Sequence, residues 1–136
     1  MIGRSGFTQE GQVLQVIDET AQAVEQKSRD QLAVTLSENY SDRSGLTKTG
    51  LLDLAQRYFD SRNTLQIIRL SSEIEFPEGD QAVGKIRYQV IGTIDGALYR
   101  GFRDSSPTGE RIIYRLRKEG EEWKVLSIDP ERGSWR

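Results

Sequence analysis

The side chains best suited to acid–base chemistry in this sequence are two aspartates and the tyrosines near them. Asp42 follows Tyr40 in the run Asn39-Tyr40-Ser41-Asp42-Arg43-Ser44-Gly45, and Asp129 ends the run Trp123-Lys124-Val125-Leu126-Ser127-Ile128-Asp129. Either aspartate becomes a general base if an apolar wall raises its pKa. The chain has no histidine and no cysteine. Serine–histidine and cysteine–histidine hydrolases, disulfides and cysteine-ligated zinc or iron–sulfur sites are therefore excluded. Carboxylates, tyrosines and lysines are left for proton transfer. Against catalysis, Asp42 sits among turn formers, where aspartate commonly bonds its own backbone. Asp129 precedes Pro130, where a sheet is expected to have ended. No phosphate-binding glycine loop, zinc spacing or calcium loop occurs, so no cofactor and no metal are expected.

These groups must be held by a chain of 136 residues, the size of one ordinary domain, and a single domain over 1–136 is expected with an ordered core of about 8–130. Hydrophobic residues make up 35% and charged residues 29%, and no apolar run approaches the roughly 18 residues of a membrane helix. The 19 basic and 21 acidic residues are mixed along the chain, which provides no single-sign field for nucleic acid or an anionic bilayer. Tyr99, Phe102 and Arg103 are too little aromatic and basic surface for single-stranded nucleic acid. The opening Met1 to Gly6 lacks the apolar core of a signal peptide.

Two hydrophobic periods divide the sequence. Val13, Ile17, Ala21 and Val24, then Leu32 and Leu36, recur at helical steps. Thr8 marks a start, and Ser28-Arg29-Asp30 a bend into a second short helix. A third helix capped by Thr47 or Thr49 is expected to bury Leu51, Leu52, Leu54, Ala55, Tyr58 and Phe59. After Asn63 the period becomes two, the mark of strands. Ile68, Leu70, Ile74 and Phe76 share one parity, Pro77 to Asp80 forms a turn, and Ala82, Ile86, Tyr88 and Val90 return on one face. Pairing Phe76 with Ala82 sets Leu70 against Tyr88 and Glu73 against Lys85. Asp95-Gly96 reads as a two-residue hairpin, and Gly101 to Gly109 as a loop. In the closing hairpin, Lys118 opposite Trp123 sets Leu116 against Val125 and Tyr114 against Ser127. Gly92, Gly96 and Gly101 read as hairpin or bulge glycines. The fold class is α+β, with N-terminal helices packed in the concave face of a curved antiparallel sheet.

This order of elements, together with Trp123-Lys124-Val125 after a charged turn and Tyr40, Asp42 and Gly45 between helices, resembles the nuclear transport factor 2-like superfamily of cone-shaped α+β rolls. The likeness spans roughly residues 10 to 129. Leu36 to Asp42, Leu51 to Phe59 and Ile67-Ile68 look like bacterial members, several of them exported or lipid-anchored, which leaves localisation open between cytoplasm and envelope. Superfamily members include isomerases, dehydratases, cyclases, transport factors and accessory subunits, so the resemblance implies a fold and a cone-shaped pocket, not one activity.

By strand parity the cone is lined by Tyr88, Ile86 and Leu70 from one hairpin and by Ile112, Tyr114, Leu116, Val125, Ser127 and Asp129 from the other, with Tyr58 and Phe59 of the third helix covering them. The candidate ligand-binding residues are Tyr58, Tyr88, Tyr114, Leu70, Leu116 and Ser127, an apolar set with a few hydroxyls suited to a small apolar molecule. The plainer alternative is that all six are core. Ile91, Ile113, Arg115, Leu126 and Ile128 share the outward parity, and a face mixing aliphatics with arginines suits a homodimer. The leading expectation is a non-catalytic small-ligand-binding or protein-interaction domain. The alternative is a cofactor-independent isomerase, dehydratase or cyclase using Asp42 or Asp129 with Tyr40, Tyr88 or Tyr114. A purely structural subunit would have a filled cone.

Overall fold

The computed structural model describes residues 8–61, 63–94, 97–100 and 110–131, with backbone alone at 94, 97–100 and 110. Each helix starts where a hydroxyl can cap it. Thr8 accepts the Gly11 amide ahead of α1 (Gln9–Glu25), Ser28 that of Gln31 ahead of α2 (Arg29–Thr35), and Thr47 that of Gly50 ahead of α3 (Lys48–Phe59). Of the two threonines expected to cap α3, Thr47 does so. Between α1 and α2 the chain reverses at Lys27, whose φ of 55° is left-handed without the freedom of glycine. Its ammonium is held by the Ser61 carbonyl at 2.8 Å and lies over the Tyr58 ring.

The strands are β1 (Thr64–Glu78), β2 (Gln81–Ile94), β3 (Ala97–Arg100), β4 (Glu110–Glu119) and β5 (Glu122–Pro130). All pairings are antiparallel, in the order β1-β2-β4-β5, with β3 also on β2. β3 pairs Ala97 with Ile94, consistent with the short hairpin expected there. Gly96, Gly101 and the expected 101–109 loop themselves lie outside the described residues. α1 seals the sheet with Val13, Val16, Ile17, Thr20 and Ala23. It comes so close at Gly84 that a Cβ there would sit 2.7 Å from Ile17 Cδ1. Gly92 is required for a different reason, since its Cβ would meet the Thr64 carbonyl oxygen at 1.8 Å.

Pro77 and Glu78 belong to β1, so the turn is confined to Gly79 and Asp80. Glu73 does face Lys85, but the register shifts by one residue between Arg69 and Ser71 and again between Glu75 and Glu78. Leu70 is the residue skipped at the first shift. It is therefore not opposite Tyr88, which pairs with Arg69, and it points away from the cone at 46% exposure. The second shift leaves Phe76 unpaired with Ala82; its ring instead meets Trp123 edge-on at 5.9 Å. A third shift, in β4–β5, pairs Arg115 with Ser127 and Tyr114 with Ile128. This corrects two expectations. Ile128 turns to the concave side, and Ser127 and Asp129 turn away from it.

The free edge of β5 is covered by the chain after α2, where the Ser37 and Ser41 amides donate to the Val125 and Leu126 carbonyls, both at 2.9 Å. β5 runs through Asp129 and includes Pro130, where the sheet was expected to have ended. At the opposite edge, the Ile67 amide donates to the Glu25 carboxylate at 2.6 Å. The third helix is less sunken than its pattern implies. Only Leu52 is buried, while Leu51, Leu54, Ala55, Tyr58 and Phe59 are half-buried, because α3 stands over a space that side chains do not fill. No helix among the described residues is long and apolar enough to cross a membrane.

Candidate functional site

That space is a cavity of about 250 Å³ between α3 and the concave sheet. α3 contributes Leu51, Leu54, Ala55 and Tyr58, α1 contributes Thr20, Ala21 and Val24, and the sheet contributes Ile67, Tyr88, Tyr114 and Ile128 among others. Among the described residues the wall contains no lysine, arginine, aspartate or glutamate, and its side-chain polarity comes from hydroxyls.

Those hydroxyls are unequally engaged. Thr20 donates to the Val16 carbonyl at 2.8 Å and shares a 2.9 Å bond with Thr35, which in turn donates to the Leu32 carbonyl. Tyr88 and Tyr114 stand edge to face with their oxygens 2.9 Å apart. A hydroxyl pair uses one proton internally and keeps the second. Tyr58 Oη is buried without a hydrogen-bond partner among the described residues. The Leu65 backbone stands beside it and partly offsets the upward push of burial on the phenol. Burial pushes all three phenols above their ordinary value, with mutual repulsion adding at Tyr88. They stay protonated and act as neutral donors.

Of the six candidate ligand residues, Tyr58, Tyr88 and Tyr114 line the cavity together. Leu116 is sealed in the core and Leu70 lies on the exposed side of the sheet. Ser127 is buried off the cavity, its hydroxyl unpartnered among the described residues. Ala21 and Val24 belong to the helical stripe already visible in the sequence. Ile67 and Ile128 were hidden because each register shift reverses the parity that would have assigned them to this wall.

The candidate acid–base residues also converge, but elsewhere. Tyr40 Oη donates to Asp42 Oδ2 at 2.7 Å and accepts the Ile128 amide at 3.1 Å. Asp42 Oδ1 accepts the Ser44 and Leu46 amides at 2.9 and 3.0 Å, and Asp129 Oδ1 accepts the Arg43 amide at 3.0 Å with the Arg43 guanidinium at 3.6 Å. Burial, then the bond to Asp42, holds the Tyr40 phenol far above its usual range. The cluster ties the α2–α3 loop to β5, and none of its members lines the cavity.

No protein-family model matches the chain, and no curated protein matches it in sequence. Solved structures do. A nuclear transport factor 2-like protein from Cytophaga hutchinsonii superposes with a TM-score of 0.71 at 15% identity, covering 91% of this chain and 98% of that one. A cystatin-like protein of unknown function from Nostoc punctiforme gives 0.64 at 10% identity, covering 91% and 92%. A Catenulispora acidiphila protein in complex with S-DNPA gives 0.68 at 12% identity, covering 89% and 90%. Three capped helices followed by an antiparallel sheet curved around a cavity, with these superpositions over nearly the whole chain, give the protein the nuclear transport factor 2-like, cystatin-like α+β fold.

Proposed function

We propose that the protein binds a small, uncharged, mainly apolar molecule in the cavity between α3 and the sheet, and performs no chemistry on it. The observation that carries this reading is a wall of aliphatic and aromatic side chains with phenol donors to spare and, among the described residues, no carboxylate or amine. The S-DNPA complex of the Catenulispora acidiphila protein supports it as a precedent on the same fold. Titrating the protein with toluene while following methyl NMR signals tests it. Leu51, Leu54, Ile67 and Ile128 should shift saturably, and the shifts should vanish in Ala55→Phe, which fills the cavity from α3. Shifts absent from these methyls, or unchanged in Ala55→Phe, overturn the reading.

The isomerase, dehydratase or cyclase alternative needs an aspartate and a tyrosine in one closed cavity. Asp42 and Asp129 instead spend oxygens on loop amides, which favours a structural role for them. A homodimer through the outer sheet face remains part of the proposal, now on Ile91, Ile113, Arg115 and Leu126 without Ile128. That face sets Glu73 and Glu75 on β1 beside Lys85 and Arg111 on the inner strands, so a two-fold partner would bring acidic and basic columns together. A monomer in sedimentation at micromolar concentration would dismiss it.

A further inference from the structure

The cavity's size and the donor left on the Tyr88–Tyr114 pair, at the sheet side opposite Tyr58 of α3, narrow the occupant. A dry cavity of about 150 Å³ accommodates benzene, so by proportion 250 Å³ holds roughly ten non-hydrogen atoms. That part of the space takes one ring with substituents or two fused rings, whereas the four fused rings of a steroid would have to extend beyond it. The polar recognition available is equally specific. Tyr88 and Tyr114 hold two hydroxyl protons, one consumed between them, and the other has no acceptor among the described residues. An unsatisfied donor in an apolar cavity favours a guest that supplies an oxygen at that point.

Building on the proposed pocket, we infer that the ligand class is a neutral one- or two-ring compound of about ten non-hydrogen atoms with a single hydroxyl or carbonyl oxygen, which accepts the free proton of the Tyr88–Tyr114 pair. A charged ligand is disfavoured because the wall offers no counter-ion among the described residues and burial penalises an isolated charge. Burial also keeps both phenols protonated, so the donor persists through the neutral range.

The experiment compares toluene, p-cresol, 2-naphthol and progesterone by calorimetry, against wild type and the double variant Tyr88→Phe/Tyr114→Phe, which keeps both rings and therefore the cavity shape. Wild type should bind toluene, p-cresol and 2-naphthol, with progesterone at least tenfold weaker than 2-naphthol. In the double variant p-cresol and 2-naphthol should lose about tenfold, the scale of one hydrogen bond, while toluene is unchanged. Toluene bound and p-cresol indifferent to the substitutions would overturn the hydroxyl anchor alone. Progesterone binding as tightly as 2-naphthol would overturn the size limit. If toluene also fails to bind wild type, the pocket itself is not a binding site and the preceding proposal falls with this one. Should the double variant prove unfolded by circular dichroism, Tyr114→Phe alone must show the same selective loss for p-cresol, and equal binding there refutes the anchor.

Discussion

Tyr40 Oη lies 2.7 Å from Asp42 Oδ2, two residues further along the chain, and the same hydroxyl accepts the Ile128 amide of β5. One phenol therefore fixes both the turn leading to α3 and the edge strand beneath it. Tyr40→Phe removes the hydroxyl and leaves a buried carboxylate oxygen and a buried amide short of a partner. A loss of about 1–3 kcal/mol in urea unfolding is expected. Asp42→Asn should cost a comparable amount, and the double variant should cost less than the sum, because both single changes break one shared bond. Strict additivity would mean that the two groups act independently.

Alkaline pH should be where this fold fails. Tyr40, Tyr88 and Tyr114 all have phenols raised above the ordinary 10.0 by burial. Above pH 10 the unfolded chain releases these protons and the folded chain keeps them, so the folded state binds more protons and stability falls with rising pH. Their contribution is complete below pH 10 and is lost progressively above it, by about 1.4 kcal/mol per pH unit for each phenol still protonated. Ultraviolet titration should show these three tyrosines ionising only as the protein unfolds. Reversible ionisation near pH 10 in the folded protein would contradict their burial.

Glu119 produces the opposite dependence at the acid end. The Ser37 hydroxyl donates to it at 2.7 Å and Arg117 stands 2.9 Å away, and these partners hold its carboxyl below the usual glutamate value, the Ser37 bond most strongly. Its stabilisation is complete above that usual value and declines as pH falls through the lowered one. Glu119→Gln should flatten the acid limb of a stability-versus-pH curve. An unchanged slope below pH 4.5, the ordinary glutamate value, would show that the carboxylate is not linked to folding.

Glycine substitutions should grade by what a new Cβ meets. At Gly79 nothing lies within 4 Å, at Gly84 the end of the Ile17 side chain lies at 2.7 Å, and at Gly92 a backbone oxygen lies at 1.8 Å. Gly79→Ala should be nearly silent. Gly84→Ala should cost about 1–3 kcal/mol, as expected of overpacking in a core where Ile17 has no exposed surface to move into. Gly92→Ala displaces backbone shared by paired strands and should cost most, measured by urea midpoint. Any other ranking would mean that the close approaches at Gly84 and Gly92 are misplaced.

The helix starts were readable because capping is local: Thr8, Ser28 and Thr47 announce themselves next to a periodic run. The change of period after Asn63 likewise revealed an antiparallel sheet. The wall of the cavity was only partly readable, because strand parity carries across many residues and one skipped position reverses everything beyond it. Ile67 and Ile74 both pack toward the core although seven positions separate them. An unbroken alternation puts residues of odd separation on opposite faces, and the shift at Leu70 alone reconciles them. Nothing in the composition of Arg69-Leu70-Ser71 signals that shift, since no glycine or proline stands there. The distinction is measurable. Leu70→Ser should change stability by less than about 0.5 kcal/mol, as surface substitutions do, whereas Ile67→Ser should both destabilise and place a hydroxyl in the cavity wall. If the strand ran without the shift, the two effects would exchange, with Leu70→Ser destabilising and Ile67→Ser silent in both stability and toluene binding.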